Sequence, residues 1–193
     1  EPYYRGGRPP PGDAGPYRGR KASLYEGGIR QPLIVRWPGR VPAGSRDAVT
    51  VASGIDLFPT LAAIAGAAPP PRRDGTDLLP AWMGTPLTRR PDLLFAYGGY
   101  GIPGKSPLPA RERDRSPPFA IRSGGWKLLT QADGSGAELY NILEDPSESR
   151  NLASNRPDLV GLLANRLLAW RRTLPAQHWR SAAAGHGGTA HRH

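Results

Sequence analysis

Between Gly19 and Trp37 the chain reads GRKASLYEGGIRQPLIVRW, and this stretch restricts the fold more than any other. A Gly/Arg loop carries Lys21, Glu26-Gly27-Gly28 reads as a tight turn, and Leu33-Ile34-Val35 is an apolar run suited to a buried strand. The two glycines permit positive φ at the turn, and Glu26 is placed to hold the loop by hydrogen bonds. The pattern predicts a cation delivered by a loop onto the edge of a sheet.

Downstream, the strand is expected over Leu33 to Trp37, with Pro38-Gly39 turning the chain and a short second strand over Ala48 to Ala52. Ser53 or Asp56 can cap a helix in which Leu57, Leu61 and Ile64 share a face and Gly66 marks the end. Leu78 to Met83 reads as a short helical turn, and Leu93 to Tyr97 as a strand. A long polar loop, Gly98 to Pro118, is of the kind that carries function or moves. In PFAIRSGGWKLLTQ, Phe119 and Ile121 are read as alternating with polar neighbours, Gly124-Gly125 makes a two-residue turn, and Trp126 and Leu128 continue the alternation. A strand over Glu138 to Ile142 completes a three-strand meander. Pro157 then opens the clearest helix, with Leu159, Leu162, Leu163, Leu167 and Trp170 at helical spacing for packing against the meander.

The 193 residues suffice for one sizeable core. With 25 glycines and 23 prolines the chain approaches low complexity, but its apolar runs predict a loop-rich globule with loose ends. The net charge of +10 favours anionic partners. No zinc-finger spacing, RNP-like aromatic motif or basic heptad region accompanies it, so nucleic acid is not expected. No apolar run is long enough to span a bilayer, and no membrane partner is expected. Without cysteine there is no disulfide framework, thiolate metal site or thiol nucleophile. The histidines His178, His186, His191 and His193 lie in a tail expected to be flexible.

Four stretches, in order, resemble the C-terminal part of the type I sulfatases of the alkaline-phosphatase-like superfamily: RGRKASLYEGGIRQPLIVRWPG, IDLFPTLAAIAG, AIRSGGWKLL and ELYNILEDPSESRNLA. The resemblance implies the end of an α/β domain followed by a small antiparallel sheet packed against a C-terminal helix. It divides the chain into a loop or disordered start (1–18), the C-terminal part of the α/β domain (19–97), a sheet-plus-helix subdomain (98–176) and a disordered tail (177–193). The implied activity is hydrolysis of sulfate esters, on a sulfated small molecule or glycan, using calcium and a formylglycine made from Cys or Ser in C/S-x-P-x-R. Lys21 takes the place of a lysine that binds the sulfate, and Glu26, Gly27, Gly28 and Arg30 read as scaffold. Relatives are commonly periplasmic, secreted or lysosomal.

The departures are as informative. Ser116-Pro117-Pro118 has Ala120 where the formylglycine motif needs arginine. Beyond the first residue, Asp13 is the only acid before Lys21, too little for a calcium ion that takes six or more oxygens. The chain is therefore expected to be a sulfatase fragment whose catalytic N-terminal portion lies upstream, inactive alone, with an unpaired sheet edge and an uncovered apolar face. Two alternatives are a phosphoric ester or phosphonate hydrolase of the same superfamily, and a non-catalytic module binding polyanions or sulfated glycans. In the second, Arg111, Arg113 and Arg115 would bind by general charge.

Overall fold

A computed structural model of the chain describes residues 14–69, 71, 73–89, 91–97, 109 and 111–174. Residues 1–13, Asp13 included, most of the expected Gly98 to Pro118 loop and the histidine tail lie outside them. The described elements are helices α1 (Glu26–Ile29), α2 (Leu57–Ile64), α3 (Leu79–Trp82) and α4 (Pro157–Arg171), and strands β1 (Leu93–Ala96), β2 (Phe119–Ser123), β3 (Trp126–Thr130) and β4 (Glu138–Asn141). They fall into two compact units. One gathers residues up to Ile29 with Leu94–Ile121 and Gly125 onward, and the other holds Arg30–Leu93 with Arg122–Gly124.

The strands form one four-stranded sheet in chain order, β1-β2-β3-β4. Gly124, at φ +58, makes the tight turn between β2 and β3. Strand β4 lies antiparallel to β3, with Lys127 opposite Tyr140 and Leu128 opposite Leu139. Alternation along each strand separates two sets of side chains. Phe119, Ile121, Leu128 and Leu139 pack with Leu163 and Leu167 of α4. The intervening residues Ala120, Leu129 and Tyr140 pack with Leu24 and Tyr25. The sheet is thus covered on both faces, and the expected meander gains β1 as a fourth strand.

Helix α4 starts at Pro157, where the missing N–H costs no hydrogen bond. Its buried line is Leu163 and Leu167, with Leu159 and Trp170 beside it. Leu162, expected on the same face, is 49% exposed, because it lies one position around the helix from that line.

In the second unit α2 forms as the sequence predicts. Asp56 accepts the Ser53 amide at its start (2.7 Å), and Gly66, at φ +67, follows its end. Asp56 is fully buried and also binds the Thr76 amide (2.7 Å) and the Arg89 guanidinium (2.6 Å). The apolar side chains behave otherwise: Leu57, Phe58 and Leu61 are exposed, while Pro59 and Thr60 are buried.

Two expected strands do not form. Residues 33–37 join no sheet, and Ile34 is 88% exposed. An apolar run becomes a strand only beside a partner that bonds its backbone, and no described strand lies there. Over 48–52, the Asp47 carboxylate instead accepts the amides of Val49 (2.8 Å) and Thr50 (2.9 Å), curling the chain into a turn.

Truncation of the core line of α4 should be costly and truncation beside it cheap. Leu163→Ala or Leu167→Ala is expected to lower unfolding free energy by about 2–5 kcal/mol. Leu162→Ala should change it by about 0.5 kcal/mol or less, both read from urea denaturation midpoints.

Candidate functional site

Three of the stretches that stand out in the sequence meet at one buried point in the sheet-bearing unit. The Lys127 ammonium lies 2.9 Å from Glu26 Oε1 and 2.9 Å from Glu148 Oε1. The Glu26 backbone N–H donates to Glu148 Oε2 at 2.6 Å. Lys127 is 0% exposed, Glu148 1% and Glu26 2%, so water contributes little to holding these charges.

Local sequence explains how each arrives. Lys127 alternates with Leu128 along β3, which turns it away from α4 towards the face that holds Leu24 and Tyr25. Glu26 opens α1 directly after Tyr25. Glu148 comes from the DPSES loop, whose shape is set by Asp145. That carboxylate accepts the amides of Ser149 (3.1 Å) and Arg150 (2.8 Å) and the hydroxyls of Ser147 and Ser149 (both 2.9 Å). Burial would raise the Asp145 pKa, but these bonds outweigh it and hold the carboxyl below its usual range. Glu148 itself adopts φ +52, a left-handed conformation that costs a non-glycine residue roughly 1 kcal/mol or more. Burial pushes the Glu148 carboxyl above its ordinary pKa, against the pull of Lys127.

A second cluster holds the start of the loop. Arg18 Nη1 donates to the Tyr140 hydroxyl (2.8 Å) and lies 3.4 Å from Glu138 Oε2, while its guanidinium stacks 3.8 Å from the centroid of the Tyr25 ring. Both Tyr25 (2.8 Å) and Tyr140 (2.7 Å) donate their hydroxyls to Glu138 Oε2. Burial first, and then Glu138 through its charge and its hydrogen bonds, raise both phenol pKa values.

Lys21 sits between these anchors, exposed, in a turn whose next residue Ala22 has φ +74. The loop lies directly on α1. Gly27 N–H donates to Arg18 O at 2.7 Å. A Cβ on Gly27 would stand 2.6 Å from the carbonyl oxygens of Arg18 and Gly19, and one on Gly28 2.6 Å from that of Arg20. Glycine is required here for close backbone approach. The positive φ expected at this pair is absent, because both residues lie within helix α1.

Ser116, the residue nearest to a serine nucleophile motif, accepts the Leu24 amide at 2.7 Å and so braces the same loop. Arg113 offers its carbonyl to Arg18 Nε at 3.2 Å, and Arg111, Arg113 and Arg115 are exposed. Among the described residues no three His, Asp or Glu side chains converge as metal ligands. A calcium ion therefore finds no fit on the described residues, and the sequence contains no C/S-x-P-x-R motif to supply a formylglycine. Sequence reading placed Glu26 as a holder of the loop but missed Lys127 and Glu148. The available signal was that Ala120 and Leu129, at the positions read as polar neighbours in the alternation, are apolar.

Residues 14–172 match the family described as N-sulphoglucosamine sulphohydrolase, C-terminal. The chain belongs to the sulfatases. It is similar to N-acetylgalactosamine-6-sulfatase of Canis lupus familiaris, with 49% identity over 90 residues, 46% of this chain and 17% of that protein. It is 34% identical to arylsulfatase A of Homo sapiens over 163 residues, 73% of this chain and 29% of the relative. Among solved structures it resembles Ps i-CgsB, with TM-score 0.67 and 27% identity over 88% of this chain and 35% of that one. The chain spans about a third or less of the length of these sulfatases. Its architecture is the end of an alkaline-phosphatase-like α/β domain followed by a small sheet packed against a C-terminal helix.

The buried cluster should leave a signature in the pH dependence of stability. A carboxyl whose folded pKa is raised binds more protons folded than unfolded. The contribution of Glu148 is therefore complete below the ordinary glutamate range and is lost as pH rises through the elevated value. Urea midpoints measured from pH 4 to pH 8 should fall more steeply for the wild type than for Glu148→Gln, and parallel curves would contradict this.

Proposed function

We propose that this chain forms one wall of the active site of a sulfate ester hydrolase, in which Lys21 binds a sulfate oxygen. The observation that carries the reading is the loop itself: an exposed ammonium held on a backbone fixed from both sides, at Arg18 and at Glu26. An ammonium so placed can stabilise charge on a transferring anionic group without reorganising. The similarity over residues 14–172 supports it.

In this reading the nucleophile and the calcium ligands belong to residues outside this chain, residues 19–97 close the α/β domain, and 98–176 form the smaller subdomain. The exposed Ile34, Val49, Phe58 and Leu61 form apolar surface of the kind that the remainder of the α/β domain would cover. The substrate is a sulfated small molecule or glycan. In support, the similar Ps i-CgsB has been solved in complex with k-i-k-neocarrahexaose, with TM-score 0.63 and 28% identity to this chain.

Two measurements test the reading. The 193-residue chain alone is expected to release no sulfate from an aryl sulfate, since it has no cysteine and no described metal-ligand cluster; appreciable turnover would contradict the division of labour. In the protein expressed from its complete reading frame, Lys21→Ala should lower kcat/KM for the aryl sulfate by about 10²-fold or more, the usual effect of losing one charge-stabilising donor. An unchanged kcat/KM would remove Lys21 from the site.

A further inference from the structure

The Lys127 cluster is an expensive way to fill a sheet face. Burying an ion pair or triad is often no more stabilising than well-packed apolar residues of the same volume. What three charges add is direction, because ammonium and carboxylates must keep fixed mutual geometry to offset their lost hydration. The cluster ties β3 and the DPSES loop to one residue of α1, Glu26. The next residue, Gly27, donates its N–H to Arg18 O, three residues before Lys21. A short chain of fixed contacts therefore runs from Lys127 and Glu148 through Glu26 and Gly27 to the peptides that carry Lys21.

We propose that Glu26, Lys127 and Glu148 are positioning residues for Lys21, through which the C-terminal sheet sets where the loop ammonium stands. The proposal rests on the reading of Lys21 as a sulfate-binding residue. A displacement of the order of 1 Å at such a group can cost about 10²-fold in rate, so fixing the loop is a gain that apolar residues of the same volume would not supply. Glu26 is the informative member. Without its carboxylate Glu148 still neutralises Lys127 and still accepts the residue-26 amide, so the sheet keeps its charge balance while α1 loses its tie to β3.

The test compares Glu26→Ala, Glu26→Gln, Lys21→Ala and the Glu26→Ala/Lys21→Ala double variant in the complete protein, by aryl sulfate hydrolysis and amide hydrogen exchange. Glu26→Ala is expected to lower kcat/KM about tenfold or more. Glu26→Gln, which keeps an acceptor oxygen for Lys127, should recover most of that loss. In the Lys21→Ala background Glu26→Ala should cost nothing further, because residues that act through one another are not additive. Exchange at the Gly27 amide should accelerate about tenfold relative to the Leu163 and Leu167 amides of α4. An equal factor lost with or without Lys21, or exchange that accelerates equally in α4, would overturn the proposal in favour of a purely structural cluster. Should Lys21→Ala be silent, the sulfate-binding reading fails, and the exchange pattern still decides whether the cluster holds the loop. If Glu26→Ala does not fold, Glu148→Gln provides the same comparison, with local acceleration at Gly27 expected and uniform acceleration overturning.

Discussion

A fully buried lysine sets the terms for the rest of this structure. An ammonium removed from water carries an effective penalty of several kcal/mol, and it remains charged only where carboxylates stand close enough to offset that loss. Lys127 therefore demands two partners at 2.9 Å, and each demand becomes a constraint on the chain. Glu26 must come from the segment lying over the sheet, which draws Leu24 and Tyr25 onto Ala120 and Leu129. Glu148 must come from the loop after β4, and it accepts a left-handed backbone to do so. Loss of a single partner from such a group typically costs about 3–5 kcal/mol. That exceeds the roughly 1 kcal/mol or more stored in the Glu148 backbone, so the strain persists.

The same geometry explains why α1, on which the lysine loop rests, contains so little side chain. Two carbonyl oxygens stand close to each of Gly27 and Gly28, and a Cβ at either position would press into the loop backbone. The loop can rest flat on α1 only because both residues are glycine. Arg18 then fastens its other end through the tyrosine pair and Glu138. Between the anchors the chain passes through Gly19 at φ +82 and Ala22 at φ +74. The second of these is unfavourable for alanine, and the contacts at both ends over-determine it.

What the sequence disclosed follows from how local each signal is. The β2 to β3 hairpin, the proline start of α4 and the glycine end of α2 are written within a few residues and appear as expected. The strand expected at 33–37 was not decidable in this way, since a ladder depends on whatever lies beside it. The turn at 47–50 depended on one carboxylate competing for amides, a choice that alternation of apolar residues does not register. The buried cluster was hardest to foresee. Its members are 101 and 122 residues apart from Glu26, and a lysine in GGWKLL looks solvated until both faces of the sheet are known to be covered. Ala120 and Leu129 carried that information, because a strand with apolar residues at successive positions is one buried on two sides.

In the proposed site the two lysines divide the work that a cation can do. Lys127 is neutralised by the protein and contributes geometry; Lys21 stands exposed and offers charge. If the roles were exchanged neither would succeed. An ammonium already satisfied by two carboxylates has nothing to give a substrate, and an exposed one on an unbraced loop would spend its binding free energy on being ordered. On the proposed role of Lys21, bracing its loop through Glu26 and Gly27 lets the folding of the sheet meet that ordering cost before any anion arrives. In that reading an anion meets a charge already fixed in direction, on a chain whose net charge of +10 also draws it in from a distance.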